Sequence, residues 1–257
     1  MKTIDVFKVG GKVLSNNQLL TTFLEEAKLC KNPMVIVHGG GNKASEVMNS
    51  MGIKPQMIEG RRITDHRALE IVTMVYSGLI NKNLVASLQS NGVNALGLSG
   101  ADMNIINSHK RKVQSIDYGF VGDIDEVNGK SLYQLCNQGY VPVICPITHD
   151  KKGQLLNTNA DTIAAQVSIA LSEFAEVSLK YCFELKGVLE DFENKESVIP
   201  ILSKSDMNAM YEAGKINDGM IPKLKNGFDA LEGGVFKVSI NHIGDLHSDQ
   251  SGTMLSK

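Results

Sequence analysis

Two glycine turns end apolar stretches near the start of the chain, Phe7-Lys8-Val9-Gly10-Gly11 and Val35-Ile36-Val37-His38-Gly39-Gly40-Gly41. Each pattern reads as a strand running directly into a helix. A turn without Cβ atoms lets backbone N–H groups approach an anion closely, and the helix that follows adds the positive end of its dipole. Two such turns on parallel strands hold two anions side by side, the geometry that phosphoryl transfer between two negatively charged substrates requires. Lys8 is placed to neutralise the charge that develops between them. Neither turn matches G-x-G-x-x-G or G-x-x-x-x-G-K-S/T, so a standard nucleotide fingerprint does not decide the matter, and a tight strand–helix connection would by itself account for either turn.

Three polar clusters accompany the turns. Gly60-Arg61-Arg62-Ile63-Thr64 sets two guanidiniums upstream of a long helical pattern, and the arginine fork suits bidentate capture of a carboxylate, although a solvated surface pair has the same local appearance. Asn157-Thr158-Asn159-Ala160-Asp161 precedes an apolar helix; capping explains one of these residues but not all three. Asn217-Asp218-Gly219-Met220-Ile221-Pro222-Lys223 enters another helix, with Pro222 in its first turn and Lys223 near its positive end. His38, inside a glycine turn, fits a hydrogen bond that shapes the turn better than proton transfer, and the other histidines show no metal-ligand spacing. No Ser/His/Asp or Cys/His arrangement is present.

The elements that must position these residues follow from periodicity. Strands are expected at 3–9, 34–38, 95–98, 141–146, 177–183 and 236–240. Helices are expected at 17–30, 43–51, 66–91, 160–172, 203–213 and 221–231. Such alternation predicts βαβ units and a mainly parallel sheet with helices on both faces, so ligands belong at the C-terminal strand ends, where the glycine turns lie. Stretches 56–64 and 113–127, with Gly60, Gly119 and Gly122, read as β-hairpins standing off the sheet as lids. A functional division near residue 173 begins a new strand–helix series on the same continuous sheet.

A chain of 257 residues that is 42% hydrophobic builds a large α/β core without staples. Its formal net charge of -2 leaves no basic surplus for nucleic acid. The four cysteines, Cys30, Cys136, Cys145 and Cys182, are scattered singly and fit buried reduced thiols rather than a disulfide framework or metal site. No signal sequence or membrane-length apolar run stands out, so a soluble cytoplasmic protein is expected.

Taken together, K-x-G-G (Lys8 to Gly11), V-H-G-G-G (Val37 to Gly41), G-x-R-x-T (Gly60 to Thr64), G-L-S-G-x-D (Gly97 to Asp102), G-x-V-G-x-I (Gly119 to Ile124), N-x-N-A-D (Asn157 to Asp161), D-G-M-I-x-K (Asp218 to Lys223) and G-T-M (Gly252 to Met254) run nearly the length of the chain. In this order and spacing they resemble the amino acid kinase family, and within it the members that phosphorylate an N-acylated glutamate. The resemblance implies a three-layer αβα sandwich with β-hairpin lids. Residues 1–173 would form an N-terminal lobe for acylglutamate binding and dimerisation, and 174–257 a C-terminal lobe for ATP. It implies ATP-dependent phosphorylation of the γ-carboxylate of N-acetyl-L-glutamate, or of N-succinyl-L-glutamate, to the acyl phosphate in arginine biosynthesis.

By the same resemblance, Lys8 and Lys223 stabilise the transferring phosphoryl group, Asp161 orients both lysines, and Gly11 and Gly40 supply N–H groups at the two ends. Gly40 and Gly41 hold the γ-carboxylate, Arg62 the α-carboxylate and Asn157 another part of the substrate. Gly10, Gly11, Glu184, Lys186, Gly187, Lys215 and Asn217 line the nucleotide, whose phosphates magnesium bridges without a protein metal site.

The chain departs from the family pattern at Ala101, where Lys is common, at Phe183-Glu184, where Thr-Asp is common beside the nucleotide, and between Ile240 and Gly252, which is shorter than usual. Arg61 replaces an apolar residue, and the added cation favours a more acidic acyl group such as succinyl. Because the first strand begins by Thr3, the helix that joins arginine-inhibited members into hexamers has no room, and a homodimer insensitive to arginine is expected. The alternatives are a non-catalytic acylamino-acid or nucleotide sensor on this fold, or another member of the family. A sensor needs the carboxylate clamp but not both lysines, and the pairing of G-x-R-x-T with N-x-N-A-D favours acylglutamate over carbamate, uridylate or aspartate. A dinucleotide-dependent dehydrogenase lacks its fingerprint.

Overall fold

A computed structural model describes residues 3–58, 60–191, 193–216, 219–247 and 251–257. Strand β1 (Thr3–Val9) runs into helices α1 (Gly11–Ser15) and α2 (Asn17–Leu29), and β2 (Met34–His38) into α3 (Gly41–Ser50). The hairpin β3 (Met57–Ile58) and β4 (Arg61–Arg62) precedes α4 (His66–Thr73), a π-helical segment (Met74–Ile80) and α5 (Asn81–Ser90). After β5 (Ala95–Leu98) come β6 (Ile106–Lys110), β7 (Gly122–Val127), α6 (Gly129–Asn137), β8 (Val141–Ile144), β9 (Ile147–His149), β10 (Leu155–Asn157) and α7 (Ala160–Ser172). The chain closes with β11 (Glu176–Phe183), β12 (Ile201–Ser203), α8 (Lys204–Glu212), α9 (Ile221–Glu232), β13 (Lys237–His242) and β14 (Thr253–Ser256).

The main sheet has the order β12-β14-β13-β11-β1-β2-β8-β5. From β13 to β5 it is parallel, and β14 pairs antiparallel with β13. Strand β1 therefore lies between β2 and β11, with β2, β8 and β5 of the first part of the chain on one side of it and β11, β13, β14 and β12 of the second part on the other, the kind of division at which an open α/β sheet forms its crevice. Both faces are covered, so the strands carry apolar residues on both. Ile4 and Val6 join the cluster built with Ile163, Ala164 and Val167 of α7 and Leu224, Phe228 and Leu231 of α9, whereas Phe7 and Val9 join Phe23 of α2 and Leu84 and Leu88 of α5. A smaller third cluster packs Ala44 and Met48 of α3 against Leu69, Ile71 and Val72 of α4.

The hairpin at 57–62 lies where it is expected. The second lid differs: β7 takes β6, not a segment after residue 113, as its antiparallel partner, and the two belong to a four-stranded sheet of order β10-β9-β6-β7. The polar Asn107-Ser108-His109-Lys110 run gave β6 no alternating apolar signal, and β9 and β10 are three residues each.

The helical stretch His66–Ser90 is 25 residues long and contains an 18-residue window with a mean hydropathy of 1.2, enough by length and composition to cross a membrane. Its inner side supplies Leu69, Ile71, Val72, Leu84 and Leu88 to two core clusters, and a core helix meets the same criteria.

Candidate active site

Side chains alternate along β1, so Lys8 follows Ile4 and Val6 on the face that α7 covers. Helix α7 begins at the level of that lysine. Asn159 is its cap, accepting from the N–H groups of Asp161 and Thr162 at 2.8 and 3.2 Å, which leaves Asp161 in the first turn facing the sheet. Lys8 Nζ lies 2.8 Å from Asp161 Oδ1. Helix α9 packs beside α7 with Pro222 in its first turn, and Lys223 Nζ lies 3.5 Å from Asp161 Oδ2 while donating to the Gly219 carbonyl at 3.1 Å. Burial would raise the Asp161 pKa, but the ammonium groups of Lys8 and Lys223 outweigh it and hold the carboxyl below its ordinary value. Burial lowers the Lys223 pKa, with Lys8 adding to the shift and Asp161 opposing it. The three form a largely buried +2/-1 cluster, with Lys223 at its cleft side, one positive charge in excess and suited to an anion.

The two glycine turns abut across the parallel β1–β2 pair, in which Val9 stands opposite His38 and the Gly39 N–H donates to the Val9 carbonyl at 2.9 Å. A Cβ on Gly11 would come within 3.4 Å of the Gly40 nitrogen, and one on Gly40 within 2.4 Å of Ile80 Cδ1 and 3.0 Å of the Tyr76 ring. A side chain is therefore excluded at Gly40, whereas at Gly11 a methyl would just touch the facing turn. Two clefts open from this junction, and Lys8, Gly11 and Gly41 line both.

The first cleft is lined by Gly39, Gly40, Arg61, Arg62, Tyr76, Asn157 and Asp161 among others. Arg62 is buried. Its Nη2 donates to the Gly41 carbonyl at 2.9 Å and to Ser45 Oγ at 2.8 Å, and its Nη1 lies 3.2 Å from Met48 Sδ. The Nε of Arg62 is buried without a partner among the described residues, a donor that a carboxylate would satisfy. Asn157 Nδ2 donates to Thr64 Oγ1 at 3.0 Å, and that hydroxyl donates to the Arg62 carbonyl at 2.9 Å, so hairpin and cleft wall are tied together.

The second cleft is lined by Gly10, Lys12, Phe183, Glu184, Leu185, Met220 and Lys223 in addition to the shared residues. Glu184 accepts from Lys12 Nζ at 2.8 Å; burial works to raise its pKa, and Lys12 overrides this and lowers it. Lys186 and Gly187 lie outside this lining. Lys186 pairs with Glu196 at 2.6 Å, and Gly187 is packed so tightly that a Cβ would meet Thr253 Oγ1 at 2.7 Å and Val198 Cγ1 at 2.8 Å. Lys215 is exposed on the turn after α8. Asn217 and Asp218 lie outside the described residues.

Other motif residues hold the frame. Thr253 Oγ1 accepts from the Val188 N–H at 2.8 Å, and Asp102 Oδ2 accepts from the Ser99 N–H at 2.6 Å. Sequence reasoning missed Tyr76, which sits in an apolar run whose pattern marks it as core; only the crowding around Gly40 and the lining of the first cleft give it a place in the site. Phe183 and Met220, named with the motifs but given no role, line the second cleft.

The model of the amino acid kinase family matches residues 4–242. The chain is 51% identical over 241 residues to an acetylglutamate kinase from Cytophaga hutchinsonii, covering 93% of this chain and 91% of the other. It is 48% identical over 254 residues to an acetylglutamate kinase from Bacteroides fragilis, covering 99% and 97%. Among solved structures it is similar to smu.665 from Streptococcus mutans, with a TM-score of 0.81, 25% identity and 98% of each chain covered.

Proposed function

The chain belongs to the amino acid kinase family, and from that premise we propose that it catalyses ATP-dependent phosphorylation of the γ-carboxylate of N-acetyl-L-glutamate, the acyl-phosphate-forming step of arginine biosynthesis. The observation that carries the proposal is the Lys8–Asp161–Lys223 cluster at the junction of two clefts, with Lys8 lining both. Acylglutamate occupies the first cleft and ATP the second. Arg62 takes the α-carboxylate, and Asn157 contacts the remainder of the substrate. The Gly40 and Gly41 N–H groups face the γ-carboxylate. Gly10 and Gly11 approach the phosphates, with Glu184 at the nucleotide rim.

A glutamate side chain is already ionised at neutral pH, with an ordinary pKa of about 4.3, so the nucleophile has no proton to lose and no general base is required. What the reaction needs is alignment of two anions and neutralisation of the phosphoryl oxygens as they separate from one and join the other. Lys8 and Lys223 supply the charge, and Asp161 fixes where they point. Among the described residues no group of three His, Cys, Asp or Glu side chains is arranged to hold a metal, and Asp161 is engaged by two lysines. Magnesium, as the counter-ion of ATP, would enter with the nucleotide as part of the substrate.

Residues 1–173 act as the acceptor and dimerisation lobe and 174–257 as the nucleotide lobe of this cytoplasmic enzyme. Met74 and Leu79, exposed on the long helical stretch, support a homodimer contact there. Arg61 lines the first cleft beside Arg62, which supports N-succinyl-L-glutamate as a second acceptor.

Incubation with Mg-ATP, either acylglutamate and hydroxylamine traps the acyl phosphate as its hydroxamate. Hydroxamate with either acceptor, reduced by orders of magnitude in Lys8→Met and Lys223→Met, supports the assignment, and ATP-dependent product from neither acceptor refutes it. A clear preference for the acetyl form removes the role given to Arg61.

A further inference from the structure

His38 and Asn81 are completely enclosed polar side chains that the mechanism above does not use. His38 ends β2, directly before the Gly39–Gly41 turn, and its Nδ1 lies 2.9 Å from the carbonyl oxygen of Gly39. Its Nε2 lies 3.2 Å from Asn81 Nδ2. Asn81 stands where the π-helical segment gives way to α5, and its own orientation is fixed from two sides: Nδ2 donates to the Val143 carbonyl at 2.9 Å, while Oδ1 accepts from Lys82 Nζ at 3.1 Å. A flipped amide would set oxygen against oxygen at Val143 and nitrogen against ammonium at Lys82.

These partners determine the imidazole tautomer. The Gly39 carbonyl only accepts, so Nδ1 carries the proton; Asn81 Nδ2 only donates, so Nε2 is bare. Burial, with Lys8 and Lys82 adding to it against the pull of the Gly39 carbonyl, lowers the His38 pKa to about 4, in keeping with a neutral ring.

The carbonyl that His38 holds belongs to the same planar peptide as the Gly40 N–H, and in a trans peptide the two point in opposite directions. Fixing the Gly39 oxygen toward the protein interior therefore fixes the Gly40 N–H on the opposite side. That nitrogen faces the Gly11 turn, 3.4 Å from where a Gly11 Cβ would stand, and its N–H finds no acceptor among the described residues. A glycine-flanked peptide has little intrinsic resistance to rotation, and a flip would present a carbonyl oxygen to the bound anion. We propose that His38 and Asn81 are positioning residues: Asn81 sets the His38 tautomer, and His38 holds the Gly39–Gly40 peptide with its N–H facing the acceptor carboxylate. This rests on the reading of the first cleft as the acylglutamate site.

The test compares His38→Leu with His38→Asn, whose Nδ2 takes the place of Nδ1 and restores the donor to Gly39. Losing one preorganised backbone donor costs on the order of 10²–10³ in rate. For His38→Leu the expected result is a loss of that size in kcat/KM for acylglutamate with the KM for Mg-ATP unchanged, and His38→Asn recovers most of it. A rise in the KM for Mg-ATP as large as any change in the KM for acylglutamate, no loss in His38→Leu, or no recovery in His38→Asn overturns the proposal.

The ¹⁵N resonances of the wild-type imidazole give a readout that needs neither variant to fold. A protonated Nδ1 with a bare Nε2 supports the proposal, and the reverse tautomer overturns it. If the wild-type protein forms no acylhydroxamate, the acceptor assignment falls, and the nitrogen resonances still decide whether His38 holds the peptide.

Discussion

Replacing Asp161 with asparagine keeps the shape of the cluster and removes its only negative charge. Asp161 is buried and bound at 2.8 Å to the buried Lys8 and at 3.5 Å to the half-buried Lys223, so Asp161→Asn leaves the enclosed Lys8 ammonium without a counter-ion and Lys223 without its nearest one. Breaking a buried ion pair from one side costs about 3–5 kcal/mol. For a domain of this size each kcal/mol moves Tm by about 2–4 °C, so Asp161→Asn is expected to melt about 6–20 °C below the wild type. The pH dependence fixes the cause. Because the folded Asp161 pKa is below its unfolded value, its stabilisation is fully present above an unfolded pKa of about 3.9 and is lost as pH falls through the lower folded value. The gap in unfolding free energy between wild type and variant should therefore be flat from pH 7 to about 4.5 and narrow below about 4. In hydroxamate trapping, kcat should fall by about 10²-fold, the loss that a misplacement of roughly 1 Å produces. Urea unfolding at several pH values and the trapping assay together check the reasoning. A cost below about 1 kcal/mol at pH 7, or a gap that stays constant down to pH 3, would refute it.

Lys8→Met and Lys223→Met should each lower kcat by about 10²–10³ while the KM for acylglutamate changes little, as steady-state kinetics on hydroxamate formation will register. Gly11→Ala should fold normally, since position 11 opens a helix, yet its methyl would stand 3.4 Å from the Gly40 nitrogen between the two turns; near-wild-type thermal stability with turnover reduced at least tenfold is expected. Arg62→Lys loses the planar fork and its bonds to Gly41 and Ser45, and should raise the KM for acylglutamate by tenfold or more while leaving the KM for ATP unchanged. Light scattering should give a dimer, and a monomer would count against a contact through the exposed Met74 and Leu79.

Much of the sheet was legible in the sequence because its strands are buried on both faces and end in glycine. Val35-Ile36-Val37 and Val141-Pro142-Val143-Ile144 are continuous apolar runs that no surface element would carry. The glycine turns were legible for the same reason: polypeptide that must approach other backbone dispenses with Cβ. Residues whose signal is only a tertiary contact were not legible. Tyr76 lies in Met74-Val75-Tyr76-Ser77, an ordinary amphipathic stretch, and nothing local shows that a π-helical turn rotates its ring against Gly40 and Arg62. Asn81 reads as a polar residue in a helix until His38 and Val143 are found beside it. The pairing of Asp161 with both lysines came from the family resemblance, since spacing along the chain does not say that α7 and α9 start at the same height. Lys186, expected beside the nucleotide, lies outside the lining of the second cleft and pairs at the surface with Glu196.

The position of Lys8 follows from topology. A residue that serves two ligands must stand where both clefts meet, and in this sheet that is the C-terminal end of β1, flanked by β2 on one side and β11 on the other. Asp161 and Lys223 reach it only on one face, because α7 and α9 pack on the side of Ile4 and Val6. Strand periodicity is two, so a lysine moved by one position would point toward Phe7 and Val9, into the cluster formed with α2 and α5. At that face it would meet neither Asp161 nor the junction of the two clefts. The penultimate residue of β1 is thus the position from which one ammonium can reach the carboxylate of Asp161 and both clefts, and the glycine that follows Val9 is what allows the chain to turn away immediately and leave that space open.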